Sequence, residues 1–275
     1  MSMFQKPIHF WRQMMALGRV QLAYNLHFRA EAMLWVTIDL VQFAVLLFVI
    51  QAIYGNDVTI NGITLGYSIQ YFLIVIIVNT LTHTHFEEWL GGLIIKGKIE
   101  MQLIRPVTAN FYYGWTAIVR KMVTAIIKLP ILAVFFILTT RHFDVPFPQL
   151  QTNQTVALVA LLLGSLLVQT AISLIIGWLT FWFENASSLI HFKGILLGLF
   201  SGTMLPPQLF PEWLQHVTYA LPLKYFGTIP VQVWLGSYVL TPSDAIQFGT
   251  FAIGVFLILQ LTYHYGIRRY VSAGG

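Results

Sequence analysis

Three groups of residues in this chain have types and spacings that could do chemistry. The run Gly92-Leu-Ile-Ile-Lys-Gly97-Lys98 matches the first seven positions of a phosphate-binding loop, in which backbone N–H groups cradle phosphate oxygens. The eighth position, where a Ser or Thr hydroxyl would hold Mg²⁺, is Ile99, and no strand of an α/β domain precedes the motif. The run therefore reads as a glycine-broken turn. His83-Thr-His85-Phe-Glu87-Glu88 brings imidazole and carboxylate together, as a metal site needs. On a helix, His83 and His85 diverge by about 200°, so only His83 and Glu87, four apart, share a face. This group reads as the polar, hydrated end of an apolar segment, and no metal site is expected. The third group is Asp39 and Gln42 in one apolar run and Lys128 in another. A charge inside a membrane span faces the bundle interior or an aqueous path, which makes Asp39 a pathway candidate; Lys128 is long enough to snorkel to the headgroups. With no Cys there is neither a thiolate nucleophile nor a disulfide framework. No Ser, His and Asp set reads as a triad, so no catalytic residue is assigned.

What these groups can do depends on the elements that carry them. Apolar residues make up 57% of the 275 and charged residues 9%. A soluble domain carries about 25% charge, so this chain cannot clothe a water-facing surface. A soluble enzyme, a disordered regulator and a secreted disulfide scaffold are all excluded. The net charge of +5 fits membrane insertion, with no need to invoke nucleic acid.

Spans of roughly 20 apolar residues are expected at 30–53, 67–86, 115–139, 156–182 and 246–267, with a shorter sixth at 188–205. The stretch 206–236 holds Pro206, Pro207, Pro211, Pro222 and Pro230, too many for one straight crossing. Short helices dipping partway into the bilayer suit it better, since irregular backbone at that depth survives only against protein or water. The fold class is thus all-α integral membrane, one domain over residues 1–275. Twelve of the 15 Lys and Arg residues fall on the side of the N-terminus, the loop after span two, the loop before span five and the tail. Both termini are therefore expected in the cytoplasm. Residues 1–29 show no signal-peptide core, and 4–26 are expected to form an amphipathic helix. His9, Arg12, Gln13, Ala16 and Arg19 form a polar stripe opposite Ile8, Trp11, Met15 and Leu22, the pattern of a helix lying in the headgroup layer.

Gly194, Gly198 and Gly202 recur every four residues and form a smooth ridge for close helix packing, either within the chain or against a second subunit. Ser165, Gln169, Thr170 and Ser173 in span four suit interhelical hydrogen bonds. Residues 98–105 mix charged with apolar positions and stop at Pro106, as a short amphipathic helix does. Ile99, Met101, Leu103 and Ile104 give it a docking face for membrane or partner. No loop is large enough for a nucleotide-binding domain, so energy must come from an ion gradient or another polypeptide.

Three stretches together resemble the permease subunits of type-2 ATP-binding-cassette exporters. They are Gly97-Lys-Ile-Glu-Met-Gln-Leu-Ile-Arg105-Pro106-Val107, Phe181-Trp-Phe-Glu-Asn185, and Gly202-Thr-Met-Leu-Pro206-Pro207-Gln-Leu-Phe210-Pro211-Glu-Trp213-Leu214 continuing to Pro222 and Gly236. The likeness is nearest to the branch whose operons often encode two permeases and one ATPase. It implies an exporter of amphiphilic, drug-like, peptide or lipid-like cargo in a bacterial plasma (inner) membrane. Two ATPase subunits and a second permease, identical or homologous, are the implied partners, with membrane lipid around them. ATP and Mg belong to the ATPase, and this chain binds no cofactor itself. Residues 97–106 become a coupling helix, with Gly97, Lys98, Glu100, Arg105 and Pro106 its contacts. Asp39, Gln42 and Asn79 become pathway residues. Pro206, Pro207, Phe210, Pro211 and Trp213 become an extracellular gate. The external loops lack an aromatic carbohydrate platform, so polysaccharide is not the expected cargo. An ion-coupled carrier or a membrane enzyme is the competing class, but a carrier calls for broken helices in both halves and only the second half is broken here.

Overall fold

In the computed structural model, the residues described are 15–16, 18–20, 22–23, 29–55, 59–60, 62–100, 107–143, 145, 152–183 and 186–269. The expected headgroup helix over 4–26 lies largely outside them, as do Arg105, Pro106 and residues 270–275. The described chain is almost entirely helical. Helix α1 (Arg29–Tyr54) leads through a two-strand hairpin, β1 (Thr59–Ile60) and β2 (Ile63–Thr64), into α2 (Leu65–Thr82) and α3 (Glu87–Ile95). The strands pair antiparallel with Thr59 opposite Thr64, and Gly62 takes the positive φ of 78° that the tight turn requires. Then follow α4 (Ala109–His142), α5 (Thr152–Leu179) and α6 (Ser187–Phe200). The proline-rich stretch resolves into a 3-10 turn (Pro207–Leu209), α7 (Glu212–Ala220), a second 3-10 turn (Pro222–Phe226) and α8 (Thr228–Trp234), before α9 (Pro242–Ile267).

Local signals set these boundaries. Thr64 caps α2 by accepting from the Tyr67 N–H at 3.2 Å. Thr241 and Asp244 form a capping box at the start of α9, with Pro242 at its first position. Helix α3 ends in a Schellman turn: Gly97 N–H donates to Ile94 O and Lys98 N–H to Leu93 O, with Gly97 at φ 68°. This disposes of the phosphate-loop pattern, because Gly92 lies inside a helix and the N–H groups of Gly97 and Lys98 are spent on its closure.

Five segments are long and apolar enough to cross a membrane among the described residues: Val36–Tyr54, Leu65–Ile95, Ala109–His142, Gln154–Leu179 and Pro242–Ile267. The sixth expected span, 188–205, is a 14-residue apolar helix, α6. At 1.5 Å per residue it covers about 21 Å, short of the roughly 30 Å hydrocarbon core. Helices α2 and α5 occupy the middle of the bundle, with 61% and 56% of their apolar windows buried, whereas α1 and α9 flank them at 17% and 11%.

Inside lipid, apolar side chains gain little from leaving the bilayer, so helix pairs hold by close packing and by polar ties. Helices α3 and α5 meet through glycines. A Cβ at Gly177 would lie 2.7 Å from Leu90 Cδ2, and one at Gly91 would lie 2.9 Å from Thr180 Cγ2. Beside this seam Trp178 is fully buried, stacks on Phe181 with ring centroids 5.6 Å apart, and donates its indole N–H to Asn110 Oδ1 at 2.7 Å. Gly177→Val is expected to push α3 off α5 and lower the thermal midpoint of the purified protein by several degrees. Gly92→Val, where a Cβ meets open space, is the matched control, and equal midpoints for the two variants would refute the seam.

Candidate functional site

The polar residues of the α5 core act as ties between helices. Ser165 Oγ donates to Tyr225 O at 3.0 Å, Gln169 Nε2 donates to Thr82 Oγ1 at 3.1 Å, and Ser173 Oγ donates to the Glu87 carboxylate. Thr170 instead bonds back to Leu166 O within its own helix. The interhelical role expected for this set therefore holds at three of its four positions.

Helix α2 stops at Thr82, and residues 83–86 form a non-helical elbow before α3. This corrects the helical-wheel argument applied to His83 and His85. Freed from the helix, their rings come together edge to face, with Nε2 to Nε2 2.9 Å apart. His83 Nδ1 lies 3.1 Å from Gln169 Oε1, and His85 Nδ1 lies 3.5 Å from Glu87 Oε1. No group of three or more His, Asp or Glu side chains has the arrangement of a metal site among the described residues.

Glu87 is 1% exposed and Lys193, from α6, is 6% exposed; they form an ion pair at 2.6 Å. Lys193 Nζ also donates to Thr84 O at 2.9 Å, and the Phe86 N–H donates to Glu87 Oε2 at 3.0 Å. These bonds meet the needs of a charge pair that would otherwise be costly to bury. The elbow, α5 and α6 are thereby joined at one point. Sequence reasoning assigned Glu87 to a hydrated end and Lys193 to a loop. The missed signal was a single Lys within an otherwise apolar helix, which demands a partner.

A cleft of about 1220 Å³ opens among α1, α2, the elbow, α4 and α6. Phe43, Leu46, Phe72, Val75, Leu197 and Phe226 contribute its apolar wall. Asp39, Gln42, Asn79, Arg120, Lys121 and Lys128 contribute polar groups. The three candidates Asp39, Gln42 and Asn79 thus come to one cavity from two helices. Lys128 does not reach for the headgroups: its Nζ donates to Asp39 Oδ2 at 2.6 Å, with the two side chains 12% and 24% exposed. Pairing wins because each charge removes the other's desolvation cost. Lys121 Nζ donates to Asn79 O at 2.9 Å.

Gly194 and Gly198 also line the cleft, and a Cβ at either would meet nothing within 4 Å. Gly202 does not continue their ridge. Helix α6 has ended at Phe200, Gly202 has φ 76°, and a Cβ there would strike Thr228 Oγ1 and the Tyr71 hydroxyl. This turn is clamped from inside the chain: Tyr71 OH donates to Gly202 O at 2.9 Å, and Thr228 N–H and Oγ1 both donate to Ser201 O, at 2.7 and 2.8 Å.

The other expected sites lie apart from the cleft. Lys98 and Glu100 face outward after the Schellman turn, while Ile99 between them is fully buried with Phe86 and Leu90. That buried side chain fixes the start of the segment to the core, so Ile99 does not contribute to an outward docking face. Of the proline-rich residues, Pro206, Pro207 and Phe210 are buried, whereas Pro211 and Trp213 are exposed. Beyond them Tyr225 OH and Tyr238 OH converge on Asp244 at 2.9 and 3.0 Å. Burial, and then the facing carboxylate, push the Tyr238 phenol up to about 12.

A family model described as ABC-2 family transporter protein matches residues 40–274. No curated protein matches the chain significantly.

Proposed function

The chain belongs to the ABC-2 transporter family, as a multi-pass membrane permease subunit without an ATPase site of its own, in a class that works with an ATP-binding-cassette component; from that premise we propose that it exports an amphiphilic substrate. In this reading it pairs with a second permease, identical or homologous, and with two copies of the ATPase, which hold the ATP and Mg. In the same reading six spans, the sixth completed by α6 together with the residues that follow it to 205, cross a bacterial plasma membrane with both termini in the cytoplasm. The observation that carries the proposal is the cleft, whose lining combines Asp39, Gln42 and Asn79 with apolar side chains such as Phe43, Phe72 and Leu197. A cavity lined by both kinds of group suits a molecule with a polar end and an apolar one.

Residues 97–106 transmit motion of the ATPase. The buried Ile99 anchors the base of this segment, and Lys98 and Glu100 are exposed on either side of it. The segments 206–236 close the outer side. Transport follows when the two states of the dimer bind the substrate with different affinity. Arg105→Glu is expected to leave membrane insertion intact and to cut substrate-stimulated ATP hydrolysis by the complex at least about tenfold, since a reversed charge opposes a docked partner. Unchanged stimulation would remove residues 97–106 from the coupling role. The test of the whole reading is gentle purification of the tagged protein from its native cell, with mass spectrometry of its companions. A stoichiometric subunit carrying a complete phosphate-binding loop is expected. A chain that purifies alone and transports on an ion gradient without ATP overturns it.

A further inference from the structure

The charges around the cleft are unevenly matched, and this names the substrate class of the proposed transport site, so the inference rests on the exporter reading. Among the described residues, the titratable groups that line the cavity are Asp39, His83, His85, Glu88, Arg120, Lys121 and Lys128. Asp39 and Lys128 neutralise each other at 2.6 Å. Glu88 is exposed and makes no ion pair with a described residue. Arg120 and Lys121 remain, adjacent on α4 within a membrane-spanning helix. Lys121 reaches one backbone carbonyl, that of Asn79, and no carboxylate. The Arg120 guanidinium, which offers five donors, has no hydrogen-bond or ion-pair partner among the described residues; its backbone carbonyl accepts from Thr124 Oγ1 at 3.0 Å.

Two neighbouring basic side chains without an ion-pair partner among the described residues are expensive to maintain in an apolar helix, and such residues usually mark a path or a ligand. Beside the polar groups, α1 and α2 also give the cavity an apolar surface, from Phe43, Leu46, Phe72 and Val75. Its volume of about 1220 Å³ exceeds the roughly 300–1,000 Å³ of a site for a drug-sized ligand, so a headgroup and an alkyl chain fit together. A guanidinium beside an ammonium matches a phosphate or carboxylate, which Arg binds through two parallel hydrogen bonds. A quaternary ammonium headgroup would meet repulsion from both. The geometry points to an anionic amphiphile, a phosphate or carboxylate headgroup on an alkyl tail, with the headgroup held by Arg120 and Lys121 and the tail against the α1 and α2 wall.

The test uses the complete transporter complex in phosphatidylcholine nanodiscs and equilibrium binding of three probes: dodecyl phosphate, dodecyltrimethylammonium and inorganic phosphate. Dodecyl phosphate is expected to bind at least about tenfold more tightly than either of the others, since one probe lacks the charge match and the other lacks the tail. Arg120→Gln with Lys121→Gln is expected to abolish the preference over the ammonium probe, and Arg120→Lys, which keeps the charge, to retain part of it. Elution of each variant as an intact complex separates lost recognition from lost folding. Equal affinities for the two amphiphiles in the native complex overturn the inference, as does a preference that survives the double substitution. Adding phosphatidylglycerol to the nanodisc identifies the source: competition shows that a bilayer lipid can supply the headgroup, and its absence shows a solute entering from water; either result leaves the assignment of Arg120 and Lys121 standing. The exporter reading is judged separately, by ATP-driven movement in proteoliposomes. Tight binding of dodecyl phosphate without its ATP-driven transport defeats the exporter reading alone. ATP-driven transport of the ammonium probe without preferred binding of the phosphate defeats the substrate class alone.

Discussion

Lys193→Met is expected to lower the stability of the folded protein by about 3–5 kcal/mol, because it strands a carboxylate in a buried site. Glu87 is 1% exposed and meets Lys193 at 2.6 Å, so no water replaces the missing ammonium. The Ser173 hydroxyl and the Phe86 N–H also point at Glu87, and they hold its carboxylate in place. Removing one charge differs from removing both. Exchanging a buried ion pair for apolar side chains of similar size is often neutral or better, whereas leaving one charge alone is costly. Glu87→Met combined with Lys193→Met is therefore expected to recover most of the loss. Thermal unfolding of the native protein, both single variants and the double variant in one detergent completes the cycle. A double variant as unstable as the sum of the two singles would show that the pair carries no coupling. Because the pair joins the elbow to α6, the single variant is also expected to separate α6 from α3. Increased amide exchange in α6, ahead of global unfolding, is the measurement that shows it.

Asp39→Ala is the second substitution with a large expected effect. It leaves Lys128 without a counter-ion in a cleft that already holds Arg120 and Lys121. An unpaired Lys at the centre of a span costs about 2.5–3.5 kcal/mol on insertion-based scales. The yield of monodisperse protein and the ATP-driven transport of the complex are both expected to fall at least about tenfold, a drop that needs only about 1.4 kcal/mol of that cost. Exchanging the two residues, Asp39→Lys with Lys128→Asp, retains the pair at the same depth and is expected to restore the yield. An exchanged variant as poor as Asp39→Ala would mean that Asp39 acts through something other than its partner, such as direct contact with substrate.

The class of the protein and the presence of its five long apolar segments were legible in the chain because membrane insertion is a property of composition over some 20 residues. The clustering of prolines in 206–236 foretold short helical pieces for an equally local reason: each proline removes an N–H and excludes the preceding turn. Gly97 was legible as a chain break, since a helix that ends in a left-handed residue favours glycine. Spacing misled where a helix was assumed to continue. His83 and His85 were placed on opposite faces of one helix, yet α2 ends at Thr82 and the rings meet. The glycine ridge was likewise drawn one step too far, because Gly202 follows the end of α6 and packs against Tyr71 and Thr228.

Pairing between distant residues was not legible at all. Asp39 and Lys128 lie 89 positions apart, and Glu87 and Lys193 lie 106 apart. The sequence marked Asp39 and Gln42 as costly or polar in an apolar setting, and so requiring an interior position, and the resemblance added Asn79, but nothing in their spacing said what they would face. It determined by itself that the chain is an all-helical membrane protein, which parts of it break, and which polar groups cannot face lipid, because these follow from transfer free energies and backbone sterics that act over one or a few turns. Only the tertiary structure decided that Lys128 pairs with Asp39, that a Lys counted with a loop closes a buried knot at the α2–α3 elbow, and that Arg120 and Lys121 form no ion pair among the described residues. Those outcomes depend on which helix faces pack together, and in lipid that is settled by close contact and polar ties between helices rather than by the apolarity that defines each helix alone.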